Sequence, residues 1–168
     1  MSVSGYEATT LDVLVDTRAK TVENLLQATT PVRGELEAVV RDVATRLDVP
    51  IAALTLVRDD AVLVAAATGI SGWVADSGGV PSSWSVCPRV TNPDRPLLVD
   101  DLHSEEWGVF PGSSIFGSVR AYAGVPLRVD GSVVGTLCAM APAPSAFDNG
   151  TVALLEERRA RAVKLLTR

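Results

Sequence analysis

The sequence predicts an α+β fold built on a central antiparallel sheet, and three observations predict it. Apolar runs of strand length fall into two hairpins, one over residues 51–68 and one over 119–140. Stretches with apolar residues three and four apart occupy both ends of the chain. The return strand of the second hairpin is too apolar on either face to meet water, so it belongs in the middle of a sheet covered on both sides.

Taken in order, Leu11 to Ala28 reads as a helix, with Thr10 as N-cap and Leu11, Leu14, Val15, Val22, Leu25 and Leu26 as its apolar stripe. Thr30-Pro31 opens a second helix, because proline at the first helical position removes an N–H that had no partner anyway. Leu36, Val39, Val40, Val43 and Leu47 form its buried stripe, and Pro50 stops it. Ile51 to Val57 and Ala61 to Thr68 make a hairpin around Asp59-Asp60. A glycine-rich stretch and Pro81-Ser82-Ser83-Trp84 lead into a short helical piece ending at Val90. Asn92 to Pro96 is a turn, Leu97 to Val99 a short strand, and His103 to Gly117 irregular or weakly helical.

The second hairpin is the clearest element. Val119, Ala121, Ala123, Val125 and Leu127 alternate with Arg120, Tyr122, Gly124, Pro126 and Arg128. Asp130-Gly131 suits a two-residue type I′ turn, whose central residues both need positive φ. That turn pairs Leu127 with Val134, Val125 with Thr136, Ala123 with Cys138 and Ala121 with Met140, all on one face. Tyr122, Gly124, Pro126, Val133, Gly135, Leu137 and Ala139 take the other. Gly124 and Gly135 either mark a bulge or tight packing, or leave room for a group close to the backbone. Asp148 is the expected N-cap of a last helix with Val152, Leu155, Ala162, Val163 and Leu166 inward.

A chain of 168 residues fits one domain and buries enough surface to need no disulfide or metal staple. With a net charge of −5 and no basic cluster beyond Arg158, Arg159 and Arg161, which two glutamates precede, direct nucleic-acid binding is not expected, since phosphate contacts dominate that affinity. No apolar run spans a membrane and no secretory signal opens the chain, so a cytoplasmic location is expected. Two cysteines and one histidine cannot complete a four-ligand zinc site by themselves. Nucleophile-elbow, phosphate-loop and dinucleotide motifs are missing, so no catalytic residue is assigned.

Chemistry concentrates between residues 73 and 122. Six of the eight aromatic residues lie there: Trp73, Trp84, Trp107, Phe110, Phe116 and Tyr122. So many aromatics in a Gly-, Pro- and Ser-rich segment either cover one sheet face or line a cavity against it. These six, with Thr136 as a polar contact, are the candidate ligand-binding residues. Cys87 is a candidate redox thiol if its thiolate is favoured, and otherwise a small buried hydrophobe. Cys138 lies mid-strand as packing, and the lone His103 beside acidic neighbours reads as a loop residue.

Two blocks carry a family resemblance. Tyr122-Ala123-Gly124-Val125-Pro126-Leu127 with Gly135-Thr136-Leu137-Cys138 resembles the central hairpin of GAF domains, the small sensory modules of bacterial signalling proteins. Ser85-Val86-Cys87 through Pro96-Leu97-Leu98-Val99-Asp100-Asp101 is similar to the short helix and strand that precede it. The resemblance implies a GAF-like antiparallel sheet of five or six strands, with terminal helices on one face and a loop and short-helix cap on the other. It implies a GAF-like domain over residues 30–168, with residues 1–29 a helical extension suited to dimer pairing. It further implies a regulatory domain that binds a small molecule under the cap and signals through its end helices, as a homodimer or to a partner protein. The residues that mark cyclic-nucleotide-binding members are not visible, so the ligand and any cofactor stay unnamed. A ligand-free interaction module is one alternative. A thiol-dependent reductase of free methionine sulfoxide is the other, weakened because only one cysteine lies outside the sheet.

Overall fold

The computed structural model describes residues 10–70, 78–104 and 119–168. Its elements are helix α1 (Thr10–Leu47), strands β1 (Ile51–Val57), β2 (Ala61–Thr68) and β3 (Gly79–Pro81), a 3₁₀ turn over Ser82–Trp84, the one-turn helix α2 (Pro88–Thr91), strands β4 (Leu97–Val99), β5 (Ala121–Val129) and β6 (Ser132–Ala141), and helix α3 (Asn149–Leu166). The six strands form one antiparallel sheet in the order β3-β2-β1-β6-β5-β4. The α+β reading is therefore correct, and β6 sits centrally as its two apolar faces require. The edge strand β3 was not expected; its Pro81 is tolerated because the outer side of an edge strand needs no ladder donor.

Two expected helices prove to be one. α1 runs unbroken through Pro31, which lies exposed within it. Position 31 offers no N–H to the carbonyl of Gln27, yet the apolar face of the helix continues across the gap. Val22, Leu25, Val32, Leu36, Val40 and Val43 all pack into a single core, and that burial outweighs the missing hydrogen bond. The buried Thr29 hydroxyl donates to the Leu25 carbonyl at 2.8 Å. At the far end Asp48 takes a left-handed φ of 54°, and the N–H groups of Asp48 and Val49 reach back to Thr45 and Ala44. This is a Schellman ending, with Asp where Gly is usual.

The hairpin register also differs from expectation. The turn is the one foreseen, with Asp130 and Gly131 at φ 50° and 80° and Val129 opposite Ser132. A bulge then falls between Leu127 and Arg128, so that Leu127 pairs with Gly135, Pro126 with Thr136, Val125 with Leu137 and Gly124 with Cys138. One extra residue on β6 exchanges the faces of everything beyond it. Leu137 and Ala139 join Ala123, Val125 and Leu127 beneath α1 and α3, while Cys138 and Met140 join Tyr122 on the opposite side. Gly135 is the reason the bulge is accommodated against β1, since a Cβ there would collide with the Thr55 carbonyl oxygen.

The large core lies between the sheet and the two long helices. α3 begins with a reciprocal capping box: Asp148 accepts from the Thr151 N–H at 3.1 Å, and the Asp148 N–H donates to the Thr151 hydroxyl at 3.2 Å. Ion pairs join α3 to α1, Arg158 to Asp42 at 2.7 Å and Arg168 to Glu35 at 3.0 Å. A smaller apolar layer covers the other sheet face, with Val86, Val90, Val99, Leu102 and Val119 against Tyr122, Cys138 and Met140. Between β4 and β5 a clip joins residues 101 and 102 to residue 120. Arg120 donates from Nε and Nη2 to both carboxylate oxygens of Asp101 at 3.0 and 2.5 Å, and the Leu102 N–H donates to the Arg120 carbonyl. Among the described residues no helix is long and apolar enough to cross a membrane.

Candidate functional site

The bulge in β6 builds the candidate site. Tyr122 from β5, Thr136 and Cys138 from β6 and Thr55 from β1 all point to the face opposite the long helices, and Cys87, just before α2, meets them from above. Thr55 stands directly opposite Thr136 in the ladder, and their hydroxyls are 2.7 Å apart. The Thr136 hydroxyl donates to Cys87 Sγ at 3.3 Å, and the Thr55 hydroxyl lies 3.5 Å from the same sulfur. The Tyr122 hydroxyl is 3.7 Å away. Gly124 makes this placement feasible, because a Cβ on it would stand 2.5 Å from the Tyr122 hydroxyl.

All five side chains are buried. A sulfur in such a place would ordinarily resist ionisation, since burial penalises the charged form. Here hydrogen bonds prevail. The Cys138 thiol contributes most, then Ser85, Thr136 and Thr55, and together they hold Cys87 down at about 5 against the effect of burial. Cys138 moves the other way, well above its ordinary value, because its proton is engaged with Cys87 and because it is buried. Burial, followed by the charge on Cys87, likewise raises Tyr122. The cluster thus holds one thiol suited to be an anion, ringed by groups that keep their protons.

Of the residues singled out in sequence, Tyr122, Thr136 and Cys87 are brought together. Trp73, Trp107, Phe110 and Phe116 lie outside the described residues, as does the side chain of Trp84. His103 is an exposed loop residue whose N–H donates to Asp101 Oδ1. Cys138 is a buried mid-strand residue packed in the smaller apolar layer, as its position in the sequence indicates, and Thr55 was not singled out at all. Neither could be linked to Cys87 without knowing the register, and the one local sign of the true register was Gly135. Two described surface grooves lie elsewhere. One of about 290 Å³ has Arg58, Ser82, Ser83 and Asn92 in its walls. The other, of about 450 Å³, runs between α1 and α3 beside Glu35, Asp42 and Arg158. Neither is lined by a member of the cluster.

Comparison with known proteins agrees with this architecture. A domain of Acinetobacter phosphoenolpyruvate-protein phosphotransferase, described as a GAF domain, superposes with a TM-score of 0.66 at 16% identity, over 90% of this chain and 93% of that one. The type II free methionine-R-sulfoxide reductase of Thermoplasma acidophilum superposes with a TM-score of 0.67 at 13% identity, over 83% and 94%. A domain of a putative two-component sensor histidine kinase from Sinorhizobium meliloti gives 0.61 at 19% identity, over 79% and 88%. At such identities these likenesses establish the fold alone. No curated protein matches the sequence significantly. The GAF domain family model matches residues 32–162, most of the chain, starting one residue after Pro31 and ending inside α3. The chain belongs to the GAF domain family.

Proposed function

We propose that this is a sensory or regulatory GAF domain of the cytoplasm, which takes a small molecule on the cap side of its sheet. Occupancy would pass to a second copy or a partner protein through α1 and α3. The observation that carries this reading is the asymmetry of the sheet. The buried core of one face, under the two long helices, is aliphatic, whereas the other face carries three buried hydroxyls and two buried thiols among the described residues. Polar groups are costly in a core unless they are hydrogen-bonded. Their place on the cap side suits the few oriented polar contacts of a ligand site, with Tyr122 and Thr136 at its floor and Trp73, Trp84, Trp107, Phe110 and Phe116 as its aromatic contributors.

A native mass spectrum of the purified chain, compared with its denatured spectrum, tests the reading. The expected result is a non-covalent adduct lost on denaturation, with occupancy at least about tenfold lower in Thr136→Val, the effect of removing one buried polar contact. An adduct retained at full occupancy in both Thr136→Val and Tyr122→Phe would place the ligand elsewhere.

A ligand-free interaction module is favoured by one specific feature. No buried side-chain nitrogen or oxygen among the described residues lacks a hydrogen-bond partner, so the cluster needs no ligand to complete it. That reading expects no adduct, together with a dimer in the same native spectrum that dissociates on dilution.

A further inference from the structure

The cluster around Cys87 holds more polar chemistry than packing requires. Valine would fill the positions of Thr55 and Thr136 with almost the same shape, yet both carry hydroxyls that converge on one sulfur. A cysteine serving as a small hydrophobe needs no such ring of donors. The two cysteines of the chain, 51 positions apart in sequence, come to this cluster from two sides: Cys87 Sγ lies 3.3 Å from the Thr136 hydroxyl and 3.7 Å from the Tyr122 hydroxyl, and Cys138 stands on the same strand face two residues beyond Thr136, opposite Gly124. Their supports differ. Cys138 lies in the central strand, hydrogen-bonded to β1 on one side and β5 on the other. Cys87 lies at the start of a helix of a single turn, its N–H held by the Ser85 hydroxyl at 3.1 Å.

We propose that Cys87 and Cys138 form a reversible intramolecular disulfide that fastens the cap to the central strand, with a hydroperoxide as the oxidant. Both thiols are free and buried in the reduced protein, so the reaction follows local opening of the α2 turn. That opening exposes Cys87 and leaves Cys138 in place, which makes Cys87 the attacking sulfur and Cys138 the resolving one. The Cys87 thiolate attacks the terminal peroxide oxygen. The O–O bond breaks, the departing oxygen leaves as alkoxide or hydroxide and is protonated, and Cys87 becomes a sulfenic acid, oxidised by two electrons. The Cys138 sulfur then attacks the Cys87 sulfur. The S–O bond breaks, hydroxide leaves, and it takes the Cys138 thiol proton to form water. In sum two thiols lose two electrons and two protons, and the peroxide becomes water and an alcohol, or two waters when it is hydrogen peroxide. An external dithiol reverses the bond by exchange.

Once the bond forms, Cys87 Sγ no longer ionises and the Thr136 and Tyr122 hydroxyls lose their anionic acceptor. The switch therefore changes the polarity of the cap-side floor as well as the freedom of the cap. It does not depend on a ligand binding there.

The test uses the full chain, fully reduced, then treated with hydrogen peroxide at low molar excess, quenched, and alkylated under denaturing conditions. The expected result is loss of both alkylatable thiols, a mass lower by two hydrogen atoms, and one linked peptide joining Cys87 to Cys138. The product is monomeric by non-reducing electrophoresis and is reversed by dithiothreitol. Cys138→Ala is expected instead to gain one or two oxygens on Cys87. Should that variant not fold, the wild-type peptide map decides alone. Two thiols still alkylatable after a model thiol in the same tube is fully oxidised would overturn the proposal. So would a Cys87–Cys87 cross-link between molecules, or an over-oxidised Cys87 beside an intact Cys138.

Discussion

Single residues decide what the cap side can do. Gly135 is the sharpest case: Gly135→Ala forces a methyl against the Thr55 backbone, with an expected loss of about 1–3 kcal/mol or more on chemical denaturation. An unchanged denaturation midpoint would contradict the register described. Ionisation of Cys87 has a definite sign. Its folded value lies at about 5, below the roughly 8.5 of a free thiol, so the thiolate's hydrogen bonds add stability that is full above the unfolded value and is lost as pH falls through about 5. Thiolate absorbance should follow the same midpoint, and Thr136→Val should move it upward by removing a donor. An unmoved midpoint in that variant would show that the Thr136 hydroxyl does not serve the sulfur. Much of this site was illegible in the sequence for a physical reason. A strand's faces are assigned by counting in twos, and one bulged residue reverses the count. Thr136 and Tyr122 could be named as candidates separately but were placed on opposite faces.

Elements fared better where a local signal suffices. The bounds of β1 and β2, the Asp130-Gly131 turn and the Asp148 cap follow from alternation, positive φ and side-chain capping, all of which act within a few residues. The break expected at Pro31 failed because proline's local preference was outweighed by burial along the whole length of α1. Removing that local cost should therefore stabilise the protein. Pro31→Ala restores a donor to an exposed helix position and is expected to raise stability, by up to about 3 kcal/mol in chemical denaturation. A destabilised Pro31→Ala would mean that the helix geometry depends on the proline. Asp148→Ala, in contrast, removes the α3 capping box and should cost about 1 kcal/mol.

For the whole molecule, the division of labour between the sheet faces predicts where energy is concentrated. Leu127 is fully buried under the long helices, and Leu127→Ala should cost about 2–5 kcal/mol in the same measurement. The ion pairs that link α1 to α3 are part-exposed, so Arg168→Ala should cost under about 1 kcal/mol and less in high salt. The GAF architecture was readable because it rests on two hairpins and two amphipathic ends. The expected aromatic contacts Trp73, Trp107, Phe110 and Phe116 lie outside the described residues. The Asp101–Arg120 clip has a different consequence, one for inheritance and engineering. The side chain of Asp101 titrates at about 2, held there by the Arg120 hydrogen bonds first and the His103 N–H next, so the fastening persists through any ordinary acidity. The chain ends at Asp101 and Arg120 are thus tied to each other directly. A longer connection between these two anchors is therefore expected to cost the sheet little, since closing a loop costs only slowly more as it lengthens.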